Sequence, residues 1–375
     1  MSQRNLLLGI TGSIAAKKSI QLLNLLKADY NIKIIVTYEG NNYIDESDYR
    51  EFELYKSWDN DRKHSYHIEL ARWADEFVVY PSTANFISKV SVGLADDLLT
   101  STILMYKNRP KIFPAMHEEM ITNQSLIKSL NNLLNVADVY GPRYGLLDIG
   151  DSGIGRLLEP KEAFDVITRI QKENVFVISG PTKEYIDEVR FITNPSSGKQ
   201  GYALALESHS RGYVTNLITS IKYTNLNLIK QQNFETTNEL LDIINSAELE
   251  EGYLFMPAAI SDFIPEKYIG KLNRKEGDIS IKLSPNIDII KKIKSENPNL
   301  IITGFSAQLN NEHDYQKMLE KKIDFMVINN ISNKDIGFES DNNQVTIIGN
   351  NGIIKEVELS NKFMIAKEIL DHVIS

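Results

Sequence analysis

Short apolar runs alternate with longer amphipathic stretches along most of this chain. Strands that alternate with helices in this way are typical of a parallel sheet covered by helices on both faces. The sequence therefore predicts an α/β fold with one βαβ series in each half. The predicted strands are residues 6–11, 32–37, 76–82 and 111–116 in the first half and 174–182, 213–220, 252–260, 299–307 and 324–331 in the second.

This alternation of strands and helices is interrupted once, at residues 140–160. The segment is rich in glycine and predicts a long loop or flap. A helical pattern at 161–173 leads to the second series, so we expect a domain boundary between residues 160 and 174. The predicted domains are residues 1–170 and 171–375. Near the end, Asn350-Asn351-Gly352 between two β-rich runs predicts a hairpin.

Composition narrows the function classes. The chain has 375 residues and no cysteine, which excludes disulfides, thiolate catalysis and Cys-bound metals. A net charge of −9 argues against a nucleic-acid partner. No apolar run is long enough for a membrane span. The apolar start reads as a buried strand and not as a signal peptide, which leaves the cytoplasm as the expected location.

Small polar residues follow several predicted strands of the first half. Gly12-Ser13 comes after the first strand and before a helix, where backbone N–H groups favour a phosphate. Thr37 ends the second strand, and Ser82, Thr83 and Asn85 end the third. The carboxyl ends of parallel strands form one edge, which is a usual ligand site. A plain tight turn at Gly12-Ser13 is the alternative.

A second phosphate site is predicted in the second half. Residues 194–199, Asn-Pro-Ser-Ser-Gly-Lys, lie directly before an amphipathic helix. Ser197 and Gly198 expose N–H donors there, and Lys199 adds positive charge. The alternative is a helix-capping loop with a solvated lysine, and we favour phosphate binding because Gly, Ser and Lys coincide.

Longer motifs in both halves carry a family resemblance. Residues 9–23, 67–102 and 113–116 resemble the flavin-dependent cysteine decarboxylases. Residues 178–205, 257–265 and 304–308 resemble a phosphopantothenoylcysteine synthetase. This order of halves is that of the bifunctional coenzyme A biosynthetic proteins, and the resemblance covers nearly the whole chain.

The resemblance implies a flavodoxin-like FMN domain that forms trimers and a Rossmann-like ligase domain that forms dimers. The ligase activates phosphopantothenate with CTP as an acyl-cytidylate, and the amine of cysteine displaces CMP. The decarboxylase then oxidises the cysteine adduct with FMN, releases CO2 and returns the electrons. Mg2+ is expected with CTP, held largely by phosphates and water, so no dense carboxylate cluster is required.

The first half departs from the decarboxylase pattern at two places. His117 follows Met116, a residue of the implied flavin site, where the family has a substrate-binding asparagine. Ile149 stands where the family has a flap cysteine that protonates the enethiolate, and Asp148 replaces the preceding alanine. Isoleucine has no acidic proton to give, so we expect decarboxylation to be lost or redirected.

Two histidines remain as doubtful catalytic candidates. His67 matches the base-like histidine of the family, and its alternative is a structural role in the helix that follows. His117, if protonated, could still hold a carboxylate, and its alternative is packing at a strand end.

The second half matches its pattern more fully. The resemblance assigns Asn194 and Arg190 to the acyl-cytidylate, and Lys271 to a basic loop that neutralises the triphosphate. Gln308 replaces a glutamate of the family motif. The other residues that it places at the nucleotide are Ala259, Asp262, Phe305, Ala307, Lys321 and Lys322.

Four functions stay open at this level. The favoured one is a CTP-dependent acid–amine ligase joined to an FMN-binding domain with a replaced decarboxylase site. The others are a fully bifunctional enzyme with compensating residues, a paralogue that acts on another carboxylate, and a non-catalytic flavin-binding subunit.

Overall fold

A computed structural model describes residues 3–58, 63–148, 150–168, 173–223, 228–247, 249, 251–273, 277–308, 315–330 and 340–374. The chain forms two compact units. The first lies within residues 1–172, with 209–212 and 224–228 added, and the second takes the remainder from Glu173 on. The domain limits at residues 170 and 171 stay a prediction.

The first unit is an α/β layer structure, as predicted. Its strands are β1 (Arg4–Ile10), β2 (Tyr30–Val36), β3 (Glu53–Tyr55), β4 (Glu76–Ser82), β5 (Lys111–Pro114), β6 (Asp138–Val139), β7 (Arg143–Leu146) and β8 (Ser152–Arg156). Its helices are α1 (Ser19–Leu26), α2 (Tyr66–Trp73), α3 (Ala84–Ser91), α4 (Leu98–Met105), α5 (Glu118–Ile121), α6 (Gln124–Leu133) and α7 (Pro160–Thr168).

Six of these strands form a parallel sheet with the order β3-β2-β1-β4-β5-β6 within the described residues. Apart from the three-residue edge strand β3, this is the order of a flavodoxin-like sheet, with its switch point between β1 and β4. The central strands are mostly apolar because both faces of the sheet are covered, and Leu8, Val78 and Phe113 are fully enclosed.

Two local expectations need correction. The segment 140–160 is not an irregular loop, because β7 and β8 pair there as an antiparallel hairpin. Its glycines hid the alternation by which a strand is usually recognised. The first predicted helix begins as a 3₁₀ turn at Ile14–Lys18 and becomes α-helical only at Ser19.

The second unit has the same kind of layers. Its strands are β9 (Asn174–Pro181), β10 (Lys183–Tyr185), β11 (Phe191–Thr193), β12 (Val214–Thr219), β13 (Lys230–Asn233), β14 (Tyr253–Met256), β15 (Ala258–Ala259), β16 (Phe263–Pro265), β17 (Leu283–Pro285), β18 (Ile301–Gln308), β19 (Phe325–Asn330), β20 (Asn342–Gly349) and β21 (Gly352–Asn361). Its helices are α8 (Lys199–Ser210), α9 (Thr237–Ser246), α10 (Ile289–Glu296), α11 (Tyr315–Lys321) and α12 (Lys362–Val373).

The main sheet of this unit has the order β13-β12-β9-β14-β18-β19, extended by the antiparallel strands β20 and β21. The first six strands are parallel and follow the order of a Rossmann fold, with the switch point between β9 and β14. The expected hairpin turns at Asn350 and Asn351, between β20 and β21. None of the helices in the described ranges is long and apolar enough to span a bilayer.

Candidate active sites

The predicted flavin residues of the first unit lie where neighbouring parallel strands end. Gly12 and Ser13 follow β1, Thr37 follows β2, and Ser82 closes β4. Met116 and His117 come just after β5. Since β2, β1, β4 and β5 are neighbours in this order, the fold brings these residues to one edge of the sheet.

Hydrogen bonds fix the loops at this edge. The Thr11 hydroxyl donates to the Pro81 carbonyl at 2.9 Å and accepts from the Thr83 amide at 3.0 Å, which ties the end of β1 to that of β4. Ser13 caps the 3₁₀ turn by accepting from the Ala15 amide. Thr83 caps α3 in the same way, and Asn85 is exposed in its first turn. Rigid loops of this kind suit a bound phosphate-bearing ligand.

Several buried side-chain atoms of this unit have no hydrogen-bond partner within the described residues. Ser82 is fully buried, and its hydroxyl has no hydrogen-bond partner among the described residues. Nδ1 of His67 is also a buried atom with no hydrogen-bond partner among the described residues. The His67 ring lies edge-on against the Trp58 ring, with centroids 5.1 Å apart. Buried polar groups are normally satisfied, so an unsatisfied one points to a bound polar molecule. The residues present therefore fit a flavin.

The hairpin β7–β8 packs on the segment that contains His117. The Met116 amide donates to the Gly155 carbonyl at 3.1 Å. Only glycine fits at position 155, because a Cβ there would come within 2.0 Å of the Met116 carbonyl oxygen. Ile149 lies outside the described residues, whereas Asp151 is described and faces His117, with Oδ2 3.8 Å from Nε2.

The second unit contains a cleft of about 600 Å³. It lies at the carboxyl ends of β9, β14 and β18, which is the switch-point edge of the sheet. Among the predicted nucleotide residues, those that line it are Asn194, Ser197, Gly198, Lys199, Ala259, Asp262, Phe305, Ala307 and Lys321.

The start of α8 forms one wall of this cleft. Gly198 has φ of +69°, and a Cβ at this position would meet Ile221 and the Tyr223 hydroxyl within 3 Å. Its carbonyl accepts from the Ser179 hydroxyl at 3.1 Å, which holds the loop against the end of β9. The loop therefore presents the N-terminus of a twelve-residue helix to the cleft, where an anion is favoured.

Three further features give the cleft its chemistry. Lys199 pairs with Asp341 at 2.5 Å, and Lys321 pairs with Asp288 at 2.9 Å. The Asn194 amide donates to the carbonyls of Ala259 and Ile260 at 3.4 and 3.3 Å. These hydrogen bonds are long, so bonds to a ligand could replace them. Within the described residues, the side-chain oxygens of Gln200 and Asn329 are buried in the lining without a partner. These groups fit a polar, anionic ligand.

Sequence reasoning missed several residues of the lining. Lys317 is one of them, and its Nζ lies 3.5 Å from the Ser306 hydroxyl. Lys362 is another, with 5% of its surface exposed. Lys317 precedes Lys321 by one helical turn, a spacing that could have indicated a shared face.

Three predicted residues lie outside the lining. Lys322 comes after α11 with φ of +54°. Arg190 donates to Asp187 at 2.6 Å and to the Leu272 carbonyl at 3.1 Å. Lys271 precedes Leu272 in the loop that Arg190 and Asp187 hold. The catalytic roles of these residues stay predictions.

Two family models together match the chain from end to end. Residues 1–172 match the Flavoprotein family, and residues 170–375 match the C-terminal domain of the DNA/pantothenate metabolism flavoproteins. Among known proteins, the chain is similar to the coenzyme A biosynthesis bifunctional protein CoaBC of Haemophilus influenzae, at 31% identity over 100% of this chain and 98% of the relative. The corresponding protein of Borreliella burgdorferi is 32% identical, with 98% of each covered.

A solved C-terminal domain of a coenzyme A biosynthesis bifunctional protein CoaBC is 27% identical and covers 54% of this chain and 93% of its own, with a TM-score of 0.45. The two family models, and relatives above 30% identity that match over nearly their whole length, lead to one conclusion. The chain belongs to the family of the coenzyme A biosynthesis bifunctional proteins.

Proposed function

We propose that this protein catalyses two consecutive reactions. The second unit uses CTP to join a phosphopantothenate-like acid to cysteine, and the first unit decarboxylates the product with FMN. The observation that carries the proposal is the unbroken match to bifunctional relatives, combined with a polar, lysine-lined cleft in the second unit. A non-catalytic subunit would not need such a cleft.

The cleft supports the ligase reaction through charge. The N-terminus of α8 and the amines of Lys199, Lys317 and Lys321 would hold the triphosphate and the leaving pyrophosphate. The Asn194 amide would donate to the oxygen of the carboxyl group under attack, where negative charge develops. Mg2+, when bound with the nucleotide, would offset the charge of the phosphates, and the described residues would need to supply few of its ligands.

The comparisons favour two retained activities over the expected loss of decarboxylation. The relatives that match end to end are named as bifunctional proteins. The sequence still lacks a cysteine and has Ile149 at the flap position, so another residue must supply the proton. Bound FMN would accept the electrons of the cysteine adduct and later return them. Ser82 and Thr83 would bind this cofactor, and His67 would act on the substrate.

The purified protein provides a direct test of the function. With CTP, Mg2+, phosphopantothenate and cysteine, we expect stoichiometric pyrophosphate, which an enzyme-coupled phosphate assay detects. With phosphopantothenoylcysteine alone, we expect CO2, measured from a carboxyl-labelled substrate. Reactions that omit one component serve as controls. No pyrophosphate would contradict the ligase half, and no CO2 would contradict the decarboxylase half.

The lysines of the cleft allow a sharper prediction. We expect Lys317→Met and Lys321→Met each to raise KM for CTP by about tenfold or more, because a charge-assisted phosphate contact is lost. Lys322→Met should change it less, since Lys322 does not line the cleft. Lys355→Met, at an exposed position of β21, is the matched control. Equal effects at Lys321 and Lys322 would contradict this placement of the nucleotide.

The trimeric and dimeric assembly and the cytoplasmic location stay predictions. Size measurement of the purified full-length protein by light scattering would test the first of them.

A further inference from the structure

The imidazole of His117 lies between two carboxylates. Its Nδ1 is hydrogen-bonded to the carboxylate of Glu119, and its Nε2 lies 3.8 Å from Oδ2 of Asp151. The third nearby acid, Glu118, is turned away and accepts from the Ile154 amide at 3.3 Å. An acidic side chain therefore faces each of the two ring nitrogens, and either nitrogen can carry a hydrogen.

The hairpin β7–β8 creates this arrangement. Besides the bond between Met116 and Gly155, the approach is close at Gly153, where a Cβ would come within 2.5 Å of the Glu118 carboxylate. Asp151 is the last residue before β8, so docking of β8 on residues 116–118 places its carboxylate against His117. Asp151 thus belongs to the segment in which the family carries its proton-donating cysteine.

One N–H of His117 is left for a substrate. At 3.8 Å, Asp151 is beyond hydrogen-bond distance. Nε2 is a buried atom with no hydrogen-bond partner within the described residues, although the side chain as a whole is 25% exposed. Asp151 therefore faces Nε2 without accepting a hydrogen bond from it, and an N–H at Nε2 can donate to a molecule at this sheet edge.

We infer that His117 is the proton donor that replaces the absent flap cysteine, with Asp151 as its positioning residue. This inference rests on the proposed decarboxylase function. After CO2 is lost, the carbon–carbon double bond of the enethiol takes up a hydride at one carbon and a proton at the other. The hydride returns the two electrons removed from the cysteine adduct earlier, so no outside reductant is needed. The proton comes from Nε2, and solvent reprotonates the ring.

Histidine suits this role better than its neighbours. Its ordinary pKa, near 6.5, is close to the working pH, where a general acid is most effective. Carboxylic acids ordinarily ionise near pH 4 and hold no proton at pH 7. The same position holds an asparagine in the family pattern, which places the residue next to the substrate but cannot give a proton.

The test uses the full-length holoprotein with phosphopantothenoylcysteine as the probe, and follows CO2 and the mass of the thiol product. The wild-type protein should release CO2 and form the saturated thiol. Because an enethiol product does not take back the two electrons, the variants are compared in a single turnover with one equivalent of substrate. In that turnover, His117→Asn should release CO2, but its product should be the enethiol, lighter by two hydrogen atoms. Asp151→Asn should give a larger share of enethiol than wild type, and Asp148→Asn is the matched control.

A second readout needs no turnover. The NMR shifts of the His117 ring in the flavin-free protein should differ between wild type and Asp151→Asn, because the carboxylate that faces Nε2 has lost its charge. Unchanged ring shifts would overturn the role of Asp151.

The outcomes separate the inference from the function. Wild-type protein that releases CO2 but makes only enethiol would overturn the role of His117 and leave the decarboxylase in place. A saturated product from His117→Asn would also overturn the role of His117 as proton donor. Loss of CO2 release in this variant would overturn it as well, because His117 would then act in an earlier step. No CO2 from wild type would overturn the decarboxylase function itself, and the inference with it.

Discussion

At the scale of single residues, Lys362 is the most unusual group of the second unit. It is the first residue of α12, lines the cleft and is almost fully buried. Burial and, next, the charge of Lys199 lower its pKa to about 8, although Asp341 acts in the opposite direction. A protein keeps such a lysine at a cost in stability, which suggests a use in binding anions.

The cost should depend on pH. Because the folded pKa of about 8 lies below the ordinary 10.5, the unfolded chain holds the proton more strongly between these values. The loss of folding stability caused by burying the protonated Lys362 is therefore complete below pH 8 and disappears as the pH rises toward 10.5. We expect Lys362→Met to be more stable than wild type by roughly 2 kcal/mol at pH 7, and the gap to close by pH 10.

Urea unfolding of wild type and Lys362→Met across this pH range measures the difference between their free energies of unfolding. Lys355→Met is again the control, since an exposed lysine should give a small and pH-independent difference. A gap of constant size for Lys362→Met would contradict the lowered pKa.

The residues of the cleft also show what a sequence can and cannot reveal. Residues 197–199 were predictable because a Gly-Ser turn before a helix forms its anion site from local chain alone. Lys362 and Asn343 were not, since they reach the cleft only through β20, β21 and α12, which are distant in sequence. Lys322 was predicted from its place in the family motif, but its backbone has φ of +54° and the residue does not line the cleft with Lys317 and Lys321.

At the scale of elements, the turn between β10 and β11 anchors the loop that carries Lys271. Asp187 is fully buried and accepts from the amides of Val189, Arg190 and Leu272 at 2.8, 2.6 and 3.0 Å. Burial alone would raise the pKa of Asp187, but these donors and the Arg190 guanidinium outweigh it and lower the pKa to about 2. The carboxylate therefore holds the loop throughout the working pH range.

Asp187→Asn tests this anchor. Asparagine keeps the shape but loses the charge and one acceptor oxygen, so Lys271 should be placed less precisely. We expect kcat of the ligase to fall by about tenfold or more, with a smaller change in KM for CTP, and trypsin to cleave after Lys271 faster.

Glu188→Gln, an exposed neighbour in the same turn, should leave both measurements near wild type. If Asp187→Asn changed only thermal stability, the residue would have no positioning role in the ligase.

Elements were predictable to different degrees for a physical reason. Buried parallel strands such as β1 and β14 are continuous apolar runs, which the sequence displays directly. The hairpin β7–β8 has only a few alternating apolar positions, and its glycines serve close packing against Met116 and Glu118. Glycines that are required by tertiary contacts produce no periodic pattern in the sequence from which a strand could be predicted.

At the scale of the whole molecule, the two proposed reactions form a sequence, because the ligase product is the decarboxylase substrate. In one vessel with CTP, phosphopantothenate and cysteine, we expect CO2 to appear after a lag behind pyrophosphate. Lys321→Met at low CTP should slow both products. The same variant should release CO2 at the wild-type rate from phosphopantothenoylcysteine.

A Lys321→Met protein that failed with the preformed substrate would show that the substitution damages more than the ligase. CO2 from the three-component mixture without CTP would contradict the proposed order of reactions. His117→Asn provides the matched control, since its pyrophosphate release should equal that of wild type.

The acids that neutralise the lysines of the empty cleft have a consequence for nucleotide binding. An incoming anion must displace Asp341 from Lys199 and Asp288 from Lys321. Both ion pairs are partly exposed, so exchanging either carboxylate for a phosphate group costs the protein little. In the proposed reaction, the two carboxylates would therefore keep the lysines neutralised and in place until the nucleotide arrives.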